Sequence, residues 1–117
     1  MNSEVTAVEF LEMIQQGQGS FSRLCGVLTE VDLSNLNFEE CLFSVNFAGS
    51  NFQNSRFINS NLKACIFTNC IFNNAVLVGN SLDGTDFSGA KVDGMTFKDN
   101  TIHSIVLTES HLAEMIL

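Results

Sequence analysis

The sequence predicts an all-β solenoid, in which one chain winds into a tube of very short sides around a ladder of large apolar groups. Three observations predict it. Taking every fifth residue gives Phe47, Phe52, Phe57, Leu62, Phe67, Phe72, Leu77, Leu82, Phe87, Val92, Phe97, Ile102, Leu107 and Leu112, fourteen large apolar side chains without a slip. We call each of these a centre. The residue two before a centre is usually small, as at Ser50, Ser55, Ser60, Cys65, Cys70, Ala75, Thr85, Ala90 and Ser110. The 117 residues include eleven Phe but no Trp, Tyr or Pro. A narrow interior accounts for that choice: Phe stacks there, whereas a Tyr hydroxyl or a Trp N–H would need a buried partner.

A period of five suits neither regular element. On a helix, at about 100° per residue, successive centres would be rotated by roughly 140° and no apolar stripe would form. On a flat strand, successive centres would point to opposite sides. The chain must therefore turn once in every repeat. Within a repeat, the centre and the residue two before it share a face and point inward. The other three residues lie outside or at the corner.

Ser50-Asn51-Phe52, Ser60-Asn61-Leu62, Thr85-Asp86-Phe87 and Ala90-Lys91-Val92 each read small, polar, large apolar. This resembles the pentapeptide-repeat family, whose pattern is a small residue, a polar residue, Leu or Phe, and two variable residues. The resemblance runs from about Leu28 to Leu112. It implies a right-handed quadrilateral β-helix with four repeats per coil. Coils would stack at about 4.7–4.9 Å, giving roughly four coils in a rod about 20 Å long. The chain then divides into an N-terminal capping helix and linker, residues 1–19, and the β-helix, residues 20–117, as one domain overall.

Residues 3–16 read as the helix. Ser3 caps it, or Thr6 with Glu9 forms a capping box. Ala7, Phe10, Leu11 and Ile14 give one apolar face at helical spacing, and Gly17 and Gly19 end it. Its role would be to cover the first rung of unpaired backbone. Residues 20–27 are irregular, and the rhythm starts at Leu28, Leu33, Phe38 and Phe43. The step from Phe43 to Phe47 is four, so a kinked corner is expected near Ser44–Asn46. Leu36 is large for a small inward site, and the first coil should be less regular than those above it. Met95, Ile105 and Met115 also replace small residues, so the final coils should be wider or distorted. The tail Ala113–Leu117 is apolar and has no obvious capping helix. It either folds over the last coil or meets a second copy, making Leu112, Met115, Ile116 and Leu117 a candidate homodimer end. The resemblance is compatible with the second option, because some members of the family pair through their C-terminal ends, and both options stay open.

Cys41, Cys65 and Cys70 fall at small inward positions, where a thiol behaves as a small hydrophobe. Cys25 lies in the irregular lead-in. No pair has CxxC spacing, so neither a disulfide framework nor a metal site is expected. The N-terminus is acidic and lacks a signal-peptide core. No apolar run reaches membrane-spanning length. A reducing, cytoplasmic setting follows, without membrane contact.

The formal net charge is −8. Residues 1–46 carry −6, residues 47–82 carry +2 and no acid, and residues 83–117 carry −4. The best-known activity implied by the resemblance is mimicry of DNA against a topoisomerase such as gyrase. Duplex DNA carries one charge per about 1.7 Å, and the acid-free middle does not match that density. The acidic balance and absence of a basic stripe also argue against direct nucleic-acid binding.

Catalysis finds little support. His103 and His111 are the only histidines, and at twenty residues per coil they fall on opposite faces, which disfavours a two-His metal site. Asp83 falls directly under His103, without a cleft. Asp83-Gly84 and Asp93-Gly94 are turn signals. A filled tube offers no pocket for catalysis or a small ligand, so no catalytic residue, metal or cofactor is expected. The outward positions are more informative. Ile58 falls beneath Val78 with Val76 beside them, and Ile66 and Ile71 continue the apolar character around the same coil. A contiguous exposed apolar patch marks a partner site. The reading is a non-enzymatic scaffold for an unidentified protein partner, with a structural spacer and the DNA mimic as alternatives.

Overall fold

The computed structural model describes residues 7–16 and 23–117. In chain order the elements are α1 (Ala7–Gln15), β1 (Leu24–Val27), β2 (Asn37–Glu39), β3 (Phe43–Asn46), β4 (Arg56–Ile58), β5 (Val76–Val78), β6 (Thr96–Lys98) and α2 (Glu109–Glu114). The helix expected over 3–16 is present as α1, while its proposed start at Ser3 or Thr6 and its stops at Gly17 and Gly19 lie outside the described residues.

All strand pairing is parallel. One side of the coil is the four-stranded sheet β2-β4-β5-β6. The two-stranded sheet β1-β3 and single bridges build the other three sides, the bridges running through Asn46–Ile66–Asp86–Val106, Asp32–Asn51–Ile71–Lys91 and Leu42–Asn61–Ser81–Thr101. The result is a four-sided solenoid of about four turns. Each side ends in a residue with positive φ two after the centre, such as Asn54 (62°), Asn59 (51°), Asn69 (57°) and Gly89 (71°). Asn and Gly are the residues that tolerate this conformation, which explains why the corners are written in Asn and Gly.

The centres fill the interior. From Leu28 to Phe97 every centre is buried. Rings one coil apart stack nearly parallel, as in Phe47–Phe67 (5.6 Å, 7°) and Phe52–Phe72 (5.0 Å, 6°). Rings on adjacent sides of one coil meet edge to face, as in Phe67–Phe72 (5.3 Å, 74°). Both geometries suit the aromatic quadrupole. Phe10 of α1 lies on the first coil, stacked on Phe38 at 6.2 Å and edge-on to Phe43 at 6.1 Å, so this helix covers the lower end of the column.

The small inward residues satisfy the polar backbone inside the wall. Ser50 Oγ donates to the Leu28 carbonyl (2.8 Å) and accepts from the Val31 N–H (3.2 Å). Asn80 does the same work with an amide. Its Oδ1 accepts from the Ser60 N–H (2.9 Å), and its Nδ2 donates to the Phe57 carbonyl (2.9 Å). Asn100 repeats the pattern one coil higher, toward the Asn80 N–H and the Leu77 carbonyl.

Four expectations are corrected. The four-residue step between Phe43 and Phe47 is not a kinked corner. The chain runs extended as β3, Val45 points inward and is buried, and no positive φ occurs between Glu40 and Gly49. One corner is deleted, so Leu24, Asp32, Asn37 and Leu42 pair with Phe43, Asn51, Arg56 and Asn61, nineteen residues on. From Asn46 onward the offset is twenty, as in Asn46 with Ile66. The first coil is otherwise regular, with corners at Glu30 (57°), Asn35 (58°) and Glu40 (54°) and Leu36 only half-buried.

The tail does contain a capping helix. Thr108 is the N-cap of α2, with the His111 N–H donating to Thr108 Oγ1 (3.2 Å) and the Thr108 N–H donating to His111 Nδ1 (3.1 Å). Because a backbone N–H can only donate, Nε2 carries the imidazole proton, and it donates to the Ala90 carbonyl at 3.1 Å. The imidazole thus stands in for the backbone N–H that a further rung would have supplied. Beyond α2, the Ile116 N–H donates to the Met95 carbonyl (2.7 Å) and lays one more rung on β6. The centre ladder ends accordingly: Ile102 is 47% exposed and Leu112, on α2, is 44% exposed. Met95 is accommodated in the core without exposure.

Candidate functional site

The outward residues sort by side. The β2-β4-β5-β6 side presents two columns. The first runs Asn37, Arg56, Val76, Thr96 and Ile116, and the second Glu39, Ile58, Val78 and Lys98. Ile58 and Val78 are register partners, as are Arg56 and Val76. Ile58, Val76 and Val78 are half-buried, while Arg56 and Lys98 are exposed. These rungs make a flat sheet face because each has three consecutive residues in extended conformation, where β-branched side chains stand off the surface.

Ile66 and Ile71 are brought to other sides. Ile66, 38% exposed, bridges to Asn46 and Asp86, and Ile71 bridges to Asn51 and Lys91. A five-residue step turns one corner, so Ile66, Ile71 and Val76 occupy three successive sides of one coil. The candidate patch therefore reduces to Ile58, Val76 and Val78 on one face. Of the candidate dimer-end residues, Leu112, Ile116 (52%) and Leu117 (66%) are exposed, but Met115 is buried against the core and drops out of that surface.

The side carrying Asn61, Ser81 and Thr101 also holds a His–Asp contact. His103 Nδ1 lies 3.4 Å from Asp83 Oδ1, and the His103 N–H donates to the same oxygen at 3.0 Å. Burial alone would raise the Asp83 carboxyl, but hydrogen bonds from His103 and Thr101 and the charge of His103 outweigh it and hold the group below its ordinary value. His103 is almost wholly exposed, and the pair lies on an open face. His111 is committed to its cap on the opposite side. Among the described residues no group of three His, Cys, Asp or Glu could hold a metal ion.

Burial pushes the Cys65 and Cys70 thiols up to about 12, and their Sγ atoms donate to the Phe43 (3.3 Å) and Phe47 (3.0 Å) carbonyls. Neither is poised as a nucleophile, which requires the thiolate. The sequence reading expected no pocket, but a cleft of about 310 Å³ lies beside the deleted corner, lined by Arg23, Leu24, Cys25, Leu42 and Ser44. The four-residue step was its only trace in the sequence. The lining has one cation and one thiol but no general base to activate it. Among the described residues no helix is long and apolar enough to cross a membrane.

Comparison with known proteins agrees with the geometry. The family profile described as pentapeptide repeats (8 copies) matches residues 41–77 and 60–99. No curated protein matches. Among solved structures, the chain is similar to HetL, a pentapeptide repeat protein involved in heterocyst differentiation regulation from the cyanobacterium Nostoc sp. Strain PCC 7120. The TM-score is 0.71 at 21% identity, over 86% of this chain and 42% of HetL. At that identity the likeness speaks for the fold alone, and the chain spans less than half the length of HetL. The five-residue rhythm, the four-sided parallel coil and the profile match coincide over the same residues, and the chain belongs to the pentapeptide-repeat family.

Proposed function

We propose that this protein is a non-enzymatic scaffold that presents the β2-β4-β5-β6 face to a protein partner in the cytoplasm. One observation carries the reading: Ile58 and Val78 stand in register on a flat sheet face with Val76 beside them, and Val76 takes the place where the family pattern puts a polar residue. A filled interior supports it, because this side of the rod presents a surface, while the cleft at Arg23, Leu24, Cys25, Leu42 and Ser44 lies apart from it. Recovery of bound proteins by wild type and by Val78→Asp, both checked for folding by circular dichroism, tests it. Loss of a specific partner with the variant is expected, and equal recovery removes this face from consideration.

Mimicry of duplex DNA against a topoisomerase such as gyrase is a second reading, supported by the net charge of −8. Residues 47–82, nearly two coils, contain no acid, which breaks the negative track. Absence of inhibition in a supercoiling assay at large molar excess would end it. The exposed Leu112, Ile116 and Leu117 are where an end-to-end homodimer would meet, and sedimentation over a range of concentrations tests that. A monodisperse monomer that recovers no partner would leave the spacer reading.

A further inference from the structure

The face assigned above to a partner has a charge pattern that its net charge conceals. The protein carries −8, yet the two outward columns of this side hold two exposed cations, Arg56 and Lys98, and one acid, Glu39, with Glu40 and Asp99 at the corners that follow. Among the described residues Asp83 faces His103, and neither Arg56 nor Lys98 takes part in an ion pair. The two cations bracket the aliphatic group. Arg56 adjoins Val76 in the first column, and Lys98 adjoins Val78 in the second. None of the other three sides repeats this arrangement. The Ile66 side has Asp86 and no cation, the Ile71 side has Lys91 next to Asp93 and above Asp32, and the remaining side has Lys63 beneath the Asp83–His103 pair.

Arg56 and Lys98 are separated by two rungs and two residues along the strand. With rungs at about 4.8 Å and residues at about 3.3 Å, their Cα atoms lie about 12 Å apart on a diagonal. A helix rises about 1.5 Å per residue, so that diagonal matches about eight residues of helix. Charges separated by more than the Debye length, about 8 Å at physiological salt, are largely screened. A segment docked on this face therefore responds to Arg56 and Lys98 more than to acids on the other three sides, and Asp99, beside Lys98 at the corner, is the nearest opposing charge at the upper edge. Glu39, one rung below Ile58, opposes a third carboxylate at the lower edge and limits the acidic positions to two.

Building on the proposed partner face, we infer that its occupant is an amphipathic helical segment with carboxylates at positions i and i+7 or i+8 and aliphatic side chains midway between them. The aliphatic residues cover Ile58, Val76 and Val78, and the carboxylates meet Arg56 and Lys98. The full chain is titrated into a fluorescent helical peptide with Glu at its first and eighth positions and Leu at its fourth and fifth, and into a twin with Lys in place of both Glu. Fluorescence anisotropy at low salt is expected to show the acidic peptide binding about tenfold or more tighter than its twin, as two exposed pairs would give. Arg56→Glu/Lys98→Glu should reverse that preference. Both positions are exposed, and circular dichroism verifies the fold of the variant. Equal binding of the two peptides, or binding of neither, overturns the inference. If neither peptide binds while Val78→Asp still abolishes recovery of a protein partner, the partner face stands and the acidic helix falls.

Discussion

Gly89 stacks above Asn69 at one corner column, while Gly84 stacks above Ala64 at another, and the two test how the corners are built. Both glycines have nearly the same positive φ, 71° and 72°. Alanine at either position meets the left-handed penalty of roughly 1–2 kcal/mol, reduced by about 0.4–1 kcal/mol through the stiffer unfolded chain. At Gly84 a Cβ would find its nearest neighbours, the Ala64 backbone, at 3.9 Å, which is ordinary contact. At Gly89 it would land on Asn69 Oδ1, and the amide must swing off its rotamer. That displacement adds about 0.5–1.5 kcal/mol. Gly84→Ala should therefore cost about 1 kcal/mol and Gly89→Ala about 2 kcal/mol in urea unfolding. In the background of Asn69→Ala the extra cost at Gly89 should vanish, and the double-mutant cycle should show a coupling of about 1 kcal/mol. Ala64 already holds φ at 62°, so alanine below the corner is compatible with the fold. Equal costs at the two glycines, or an additive cycle, would refute the account of the corners.

Phe67→Ala should lose about 3–5 kcal/mol, since the ring stacks on both Phe47 and Phe87; Phe67→Asp should leave the chain unfolded by circular dichroism. Asn80→Ala strips partners from the Ser60 N–H and the Phe57 carbonyl, at about 1–3 kcal/mol for each group left unsatisfied, read by the same unfolding assay. The buried thiols give an alkaline limit. Their folded value is raised from 9.0 to about 12, so the contribution is complete below pH 9 and is lost as pH climbs toward 12. Stability should fall by about 1.4 kcal/mol per pH unit per thiol in that window, and Cys65→Ala/Cys70→Ala should flatten the slope. In the folded protein both thiols should resist a thiol reagent at neutral pH, which mass spectrometry after brief labelling reads directly.

The interior was legible because the five-residue rhythm admits few solutions. A side chain as large as Phe67 or Phe72 cannot recur every five residues and stay dry unless the backbone bends at each repeat. The register of Ile58 with Val78 follows from the same count. The departures share a different cause. A missing residue between Phe43 and Phe47 does not say whether a corner is squeezed or deleted. Val45 decides it, because a branched apolar residue gains by turning inward, and that requires β3 to run straight. The six residues of α2 are too few for a helical period to stand out. Its capping box uses His111 where the familiar pattern has Glu or Gln, so the signal was present in an unfamiliar spelling. Ile66 and Ile71 were grouped with Val76 by sequence proximity, whereas each corner rotates the next outward position onto a new side.

The deleted corner gives the chain an internal clock with one altered beat. Each rung below β3 finds its partner nineteen residues ahead and each rung above it twenty ahead. A rung can therefore zip onto its predecessor as soon as one further circuit of chain is available, and nothing later in the sequence is needed to fix the pairing. Stacked repeats of this type contact only their neighbours and propagate from any nucleus. During synthesis the first coil, seated on Phe10, would be such a seed, and each circuit leaving the ribosome would be templated by the one before. A one-residue insertion at Ser44–Asn46 would reset the beat to twenty below β3 and turn Val45 into a corner, where a branched side chain fits poorly.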